Sequence, residues 1–192
     1  MITALMLLSL IGVASVLLPL YLQTVLGVSP LVAGLIMLPG GLLFGILGRP
    51  VGALFDRRGA RPLVVPGAAL MASGLGLFSI TGTGTPLSAI VVFHLVLMSG
   101  MSLMLTPLMA EALGSLPDKL YSHGSASLSA VQQVAGAMGT ALFVSIAALG
   151  SATDELSPDA AGLHVAFATA GAIGLLTLLL SLLVGHRYAQ AR

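Results

Sequence analysis

Long apolar stretches alternate with short polar or proline- and glycine-containing segments along the whole chain. The apolar stretches lie at about residues 3–25, 30–55, 62–81, 86–113, 125–150 and 160–185. Each has about the 20 residues that an α-helix needs to cross the roughly 30 Å hydrocarbon core of a bilayer. They lack the period-two alternation of membrane strands, which are only about 10 residues long. The pattern predicts an all-α membrane protein in which residues 1–192 form a single domain of six transmembrane helices.

Proline residues mark where several of these helices begin. Ser29-Pro30 places a capping residue before a proline at the first helical position, and Arg61-Pro62 and Thr85-Pro86 have the same arrangement. Ser157-Pro158-Asp159 precedes the last helix.

Composition excludes several classes of protein. Hydrophobic residues make up 57% of the chain and charged residues only 7%, against about 25% charged residues in soluble domains. Seven Lys or Arg residues and a net charge of +1 are too few for a nucleic-acid surface. The absence of cysteine excludes disulfides and Cys-ligated zinc, and the four histidines are scattered. We therefore expect a protein of the lipid bilayer with no metal and no cofactor.

The loop charges predict the orientation of the helices. The loops after the first, third and fifth helices contain no Lys or Arg. Short loops rich in these residues stay in the cytoplasm, so both termini are predicted to be cytoplasmic. The two sets of three helices then have opposite orientations, as in the 3+3 inverted repeats of transporters. The acidic loop residues are Asp154, Glu155 and Asp159, and the basic residues of the other loops and the tail are Arg57, Arg58, Arg61, Lys119, Arg187 and Arg192.

Small residues are concentrated in the second helix, and two interpretations remain open. Such residues allow helices to pack closely in lipid, which would make them static contacts. Alternatively, Pro39-Gly40-Gly41 breaks the helix near the middle of the membrane and lets it rock, as discontinuous helices do in transporters. The glycines are Gly34, Gly40, Gly41, Gly45, Gly48 and Gly52; in the fifth helix Gln132, Gly136 and Thr140 share one face.

A few polar residues lie inside the apolar segments. His94 in the fourth helix and Gln132 and Gln133 in the fifth are near the predicted midplane. They either line a substrate path, where His94 could bind a proton, or have a structural role, with His94 hydrogen-bonded between helices and the glutamines in packing contacts. Tyr21 and Gln23, near the outer end of the first helix, form either an interfacial anchor or the outer mouth of a cavity.

The loop between the second and third helices is the most specific segment of the sequence. It reads Gly52-Ala-Leu-Phe-Asp56-Arg57-Arg58-Gly59-Ala60-Arg61. Gly59 can end the helix in the left-handed region, and the arginines favour a helix carboxyl end. Arg49 lies on nearly the same face as Asp56, either as its partner or with its charge at the interface. Taken alone, the segment also fits an ordinary capped, positively charged loop.

The order G-x-x-x-D-R-x-G-x-R in this loop resembles the loop motif of the major facilitator superfamily. More of the chain is similar to the carboxy-terminal half of fourteen-span drug:proton antiporters of the EmrB/QacA type. The stretches that carry this similarity are Pro19–Gly34, Leu38–Gly41, Ser122–Ala126 and Gln132–Thr140.

The resemblance implies half of a proton-coupled multidrug efflux permease that works by alternating access. Its partners would be protons, amphipathic or cationic small molecules, and the amino-terminal transporter half, in the cell membrane. It also implies that Asp56, which lies between Gly52 and Gly59 in the loop motif, contacts the other half and helps to keep the cytoplasmic gate closed. Arg57 or Arg61 would pair with Glu111 at the end of the fourth helix.

Two alternatives to an intact transporter half remain open. One is a half-length protein that pairs with a separate partner or with itself, or an inactive gene fragment. The other, more remote, is an intramembrane enzyme using Ser99 and His164. The predicted depths separate these two residues by about 13 Å along the membrane normal, beyond hydrogen-bond reach. We therefore do not expect an enzyme.

Overall fold

The computed structural model describes residues 13–151 and 158–182. No strand occurs in these ranges, so the prediction of an all-helical chain is confirmed there. Residues 3–12 and 183–185 of the predicted helices lie outside the described residues, as do Asp154, Glu155, Arg187 and Arg192. The helices are α1 (Val13–Val25), α2 (Pro30–Arg58), α3 (Arg61–Phe78), α4 (Leu87–Gly114), α5 (Tyr121–Leu149) and α6 (Ala160–Leu182).

Five of these helices, α2 to α6, are long and apolar enough to cross a membrane. The ends of the helices follow local signals in the sequence. The Ser29 hydroxyl accepts the N–H of Val32 at 3.4 Å, with Pro30 in the first helical position. At the start of α6, the Asp159 carboxylate accepts the N–H of Gly162 at 2.8 Å. The predicted cap at Ser29 is therefore confirmed, and the structure adds a second cap at Asp159.

The start of α5 differs from the sequence expectation. The helix begins at Tyr121 rather than near residue 125. A 3₁₀ turn over Asp118–Leu120, closed by the N–H of Leu120 on the carbonyl of Pro117 at 2.8 Å, leads directly into it. The polar segment after Tyr121 is therefore helical and not a loop.

Helix α1 contains wide turns around a proline. Its turns Val13–Leu17 and Tyr21–Val25 are π-helical and flank an α-helical turn at Leu18–Leu20. Because Pro19 has no N–H, it cannot continue the i→i−4 ladder, and wider turns are a known way to accommodate this. The chain then leaves α1 through Gly27, whose φ of 64° is a left-handed conformation that glycine adopts without strain.

Helix α2 is continuous from Pro30 to Arg58, although Pro39 and Pro50 lie inside it. Of the two interpretations of this segment, the break at Pro39-Gly40-Gly41 is therefore not seen in this structure. A proline removes a single backbone donor, and neighbouring hydrogen bonds can carry the helix past it. Four of the α2 glycines, Gly34, Gly41, Gly45 and Gly48, face open space, so close packing accounts for Gly40 and not for the whole set.

The backbones of α3 and α4 approach each other closely over several turns. A Cβ atom on Gly67 would lie 2.9 Å from the carbonyl oxygen of Gly100, and one on Gly74 would lie 2.9 Å from the backbone of Leu97. A Cβ atom on Gly100 would in turn meet the backbone nitrogen of Met71. Because lipid tails give apolar helices no drive to associate, such backbone approaches are what holds two membrane helices together.

The remaining contacts place α4 at the centre of the bundle. It packs against α3 on one side and α2 on the other, α3 packs against α6, and α6 packs against α5. Helix α1 contacts α2, α5 and α6, whereas α4 and α5 touch each other only slightly. We call the end of the bundle that holds the α2–α3 loop the motif end.

The α3–α4 packing predicts the effect of an added methyl group at Gly100. Gly100→Ala should lower the free energy of unfolding by about 1–3 kcal/mol, because the neighbouring atoms are backbone and must shift. Gly45→Ala is the matched control, since no atom lies within 4 Å of its Cβ position. Thermal melts followed by circular dichroism in detergent would measure both. Equal melting temperatures for the two variants would contradict the packing account.

Candidate functional site

The loop motif forms an open concavity of about 550 Å³ lined by Phe55, Asp56, Arg57, Arg58 and Gly59. Gly59 ends α2 with φ of 75°, and its N–H donates to the carbonyl of Phe55 at 2.8 Å. The predicted left-handed helix end at this glycine is confirmed. Arg57 and Arg58 lie in the last turn, where positive charge is favoured by the helix dipole.

The charged residues of the motif are separate from one another in this structure. Asp56, Arg57 and Arg61 are exposed, as is Arg49, whereas Glu111 is half-buried in the last turn of α4. Within the described part of the chain, no ion pair joins Glu111 to Arg57 or Arg61, or Asp56 to Arg49. The backbone carbonyl of Glu111 accepts the N–H of Ser115 at 3.2 Å, which closes the end of α4.

His94 is buried in the contact between α4 and α2. Its side chain is 3% exposed, and its Nδ1 atom has no hydrogen-bond partner. A Cβ atom on Gly40 would lie 2.6 Å from that Nδ1 atom and 2.7 Å from Cε1, so the imidazole lies directly against the α2 backbone beside Pro39. Of the two readings of His94, the structure places it in an interhelical contact, without the hydrogen bond expected at Nδ1.

Tyr21 is a core residue and neither an interfacial anchor nor an open cavity wall. It is 2% exposed, and its hydroxyl donates to the carbonyl of Gly82 at 2.7 Å. Its ring meets that of Phe167 edge to face, with 5.8 Å between ring centroids. The sequence expectation fails because the loop after α3 folds over the end of α1 and supplies a carbonyl acceptor. Gln23 is exposed and donates to the carbonyl of Pro19, one turn earlier, at 3.2 Å.

The two glutamines of α5 occupy different environments. Gln132 is half-buried, and its Nε2 atom lies 3.1 Å from the Met109 sulfur, which links α5 to α4. Gln133 is exposed. The hydroxyl of Ser99 donates to the carbonyl of Leu95 at 2.7 Å, and His164 is exposed on α6. These two residues therefore form no nucleophile–base pair. Among the described residues, no group of three or more His, Asp or Glu side chains could hold a metal ion.

Sequence reasoning alone does not identify the residues that meet along the α2–α4 contact. The Ser102 hydroxyl lies 3.4 Å from the carbonyl of Phe44, and a Cβ atom on Gly52 would lie 4.0 Å from Thr106 Cγ2. Positions 94, 98 and 102 share one helix face because they are four residues apart. That spacing marks a common face on α4, but it does not identify α2 as the neighbour.

Comparison with known proteins decides the family. The sequence profile described as the Major Facilitator Superfamily matches residues 1–140. This chain belongs to the Major Facilitator Superfamily. The superfamily consists of transporters and not enzymes, and the apolar helices agree with a multi-pass membrane protein.

Several curated relatives in the superfamily are similar to the chain. The lincomycin resistance protein LmrB of Listeria monocytogenes is 42% identical over 135 residues, which are 70% of this chain and 29% of the relative. The MFS-type transporter YcnB of Bacillus subtilis is 34% identical over 90% of this chain and 37% of its own length. A multidrug resistance protein B homologue of Mycobacterium tuberculosis is 37% identical over 66% of this chain and 24% of its own length. The chain thus spans well under half of each of these relatives.

The Tyr21 hydrogen bond predicts a measurable contribution to stability. Tyr21→Phe removes the hydroxyl but keeps the ring contact with Phe167, and it leaves the carbonyl of Gly82 without this donor. We expect a loss of about 0.5–1.5 kcal/mol in the free energy of unfolding. Tyr121→Phe, at an exposed tyrosine, is the control and should melt like the wild type. A Tyr21→Phe variant as stable as that control would contradict the assignment.

Proposed function

We propose that this chain is the carboxy-terminal six-helix half of a fourteen-span drug:proton antiporter of the EmrB/QacA type, located in the plasma membrane. The observation that carries the proposal is the similarity to LmrB across 70% of the chain, together with an intact loop motif at the end of α2. Relatives named for lincomycin and multidrug resistance support a drug-like, amphipathic or cationic substrate. In this proposal both termini are cytoplasmic, and the halves α1–α3 and α4–α6 form an inverted repeat.

The exposed surface of α5 supports the presence of a further set of helices. Val134 and Met138 on this helix are exposed, and Gln133 is exposed beside them. Polar side chains within membrane helices usually face protein or a water-filled cavity, because contact with lipid tails is unfavourable. We assign the α5 surface around Gln133 to the wall of a substrate cavity shared with the other half. Helix α2 is the least buried of the spanning helices and is the second surface available to that half.

The gate in this proposal lies at the motif end. Asp56 is exposed and can reach a group on the other half, which would hold the cytoplasmic side closed. Arg57 and Arg61 are apart from Glu111 in the present conformation, so we assign their ion pair to another state of the transport cycle. Alternating access would form and break these contacts in turn, because each state needs a different set of interactions at the two ends.

The gate role of Asp56 predicts a loss of transport without a loss of folding. In a complete transporter that contains this half, Asp56→Asn should reduce drug efflux several-fold, because the neutral amide cannot form a charged latch. Its melting temperature should stay within error of the wild type, since Asp56 is exposed. Lys119→Gln, another exposed charge at the motif end, is the control and should keep full efflux. Full efflux by Asp56→Asn would refute the gate role.

The cavity argument predicts that six helices are not sufficient. The 192-residue chain reconstituted alone should give no proton-dependent drug efflux, because it offers one wall of a cavity. The same chain joined to the amino-terminal region of LmrB should transport. Efflux by a monomer, verified by crosslinking, would contradict the requirement for a second half. Efflux by a crosslinked dimer would instead show that the chain pairs with itself, and inactivity of both preparations would favour an inactive fragment.

A further inference from the structure

His94 contains an unpartnered polar atom in the interior of the bundle. Its Nδ1 atom is the buried side-chain nitrogen or oxygen that has no hydrogen-bond partner within residues 13–151 and 158–182. Such groups are rare in folded proteins, and each needs a specific explanation. A purely structural interhelical histidine would normally be fixed by hydrogen bonds at its ring nitrogens, and Nδ1 here has none.

The Nδ1 atom of His94 lies in a contact between α4 and α2 that a movement of α2 alone would open. The imidazole and the side chain of Met98, one turn later on α4, both lie against Gly40 of α2. Gly40 follows Pro39, which gives α2 no backbone donor at that point, and Gly41 faces open space. Helix α2 packs mainly against α4, with few contacts to α1 and α3. A small bend of α2 at this position would therefore separate it from His94, while the α3–α4 and α3–α6 contacts stay in place.

No charged group of the described residues compensates a positive charge at His94. The nearest charged residue on α2 is Arg49, nine residues beyond Gly40, and on α4 it is Glu111, seventeen residues beyond His94. These separations correspond to about 13 Å and 25 Å along the helix axes. On α3 the charged group is Arg61 at the motif end, and in α1 the hydroxyl of Tyr21 is bonded to Gly82. On α5, Tyr121 and His123 lie in the first turn at the motif end.

We propose that His94 is a proton-binding site whose protonation opens the contact between α2 and α4 at Gly40. In the neutral state the ring packs against Gly40, as observed. A proton from water is taken up on the ring nitrogen that carries the lone pair, and the ring becomes an imidazolium with two N–H donors. A buried cation without a partner is strongly unfavourable, so the charged ring is stable only where water reaches it. Release of the proton to water restores the closed contact.

This inference deepens the proposed function, because it names the residue through which protons would act on this half. Only the role of this protonation in the transport cycle depends on the proposed proton-coupled transport. The opening of the contact itself needs neither a drug nor the second half, and it can be measured separately.

The experiment follows the distance between α2 and α4 by spin labelling at two pH values. The chain has no cysteine, so Leu35→Cys on α2 and Val92→Cys on α4 introduce a unique pair of label sites, both exposed. Distances between the two spin labels would be measured by double electron–electron resonance on the full chain in lipid nanodiscs. The two conditions are about pH 8 and pH 5, because histidine changes charge in this range. We expect a reversible second population at longer distance at the lower pH.

Substitutions test whether His94 is responsible. His94→Gln should keep the shorter distance at both pH values, and His94→Asn serves the same purpose if the glutamine variant does not fold. His164→Gln, at an exposed histidine, is the matched control and should keep the shift. Gly40→Ala should show the longer distance already at pH 8, because its methyl group would overlap the ring.

The outcomes separate the proposal from its alternatives. A shift that is retained in the folded His94 variants, or lost in His164→Gln, would overturn it, as would a wild-type distance that does not change with pH. A shift lost only in the His94 variants would support it. Failure of the complete transporter to export drugs would leave this measurement unaffected, so the two proposals fail independently.

Discussion

The close approach of the α3 and α4 backbones is the interaction on which the rest of the bundle depends. Lipid tails are as apolar as leucine, so burying leucine between membrane helices gains little, and helices associate through close contact and hydrogen bonds. Gly67 and Gly74 on α3 and Gly100 on α4 allow this contact over several turns. With α4 fixed in this way, its opposite face is presented to α2, and α3 is placed to receive α6. The sequence of contacts α2–α4–α3–α6–α5 follows from that single pair.

Helix α2 differs from α3 and α4 because it packs mainly on one side, against α4. Its contact face includes Ala33, Ile36, Gly40 and Val51, and most of its remaining surface is exposed. The helix also ends in the loop motif, and it runs without interruption from Gly40 to Asp56 and the arginines. This geometry connects a buried histidine with the end of the molecule that the family resemblance assigns to the gate.

Helix α1 and the opposite end of the bundle are held by other means. The stacked rings of Phe78 and Phe167, with Tyr21 against Phe167, join α1, α3 and α6 in one aromatic cluster. The Tyr21 hydroxyl adds a hydrogen bond to the loop after α3. At this end of the bundle, three helices and a loop are therefore joined by ring contacts and a hydrogen bond.

Local properties of the sequence were enough to predict the helices, most of their starts and the left-handed end at Gly59. Apolar length, capping residues and proline positions act within one or two turns, so they do not depend on what the helices later touch. The loop motif likewise identified the family, because its residues are consecutive. Only the tertiary structure decided which glycines make close contacts, Gly40, Gly67, Gly74 and Gly100 among them, that Tyr21 is in the core, that His94 faces α2, and that Glu111 is apart from the arginines. The physical reason is that helices which are apolar on all sides carry no signal for which face is buried, and their neighbours are set by contacts between distant residues.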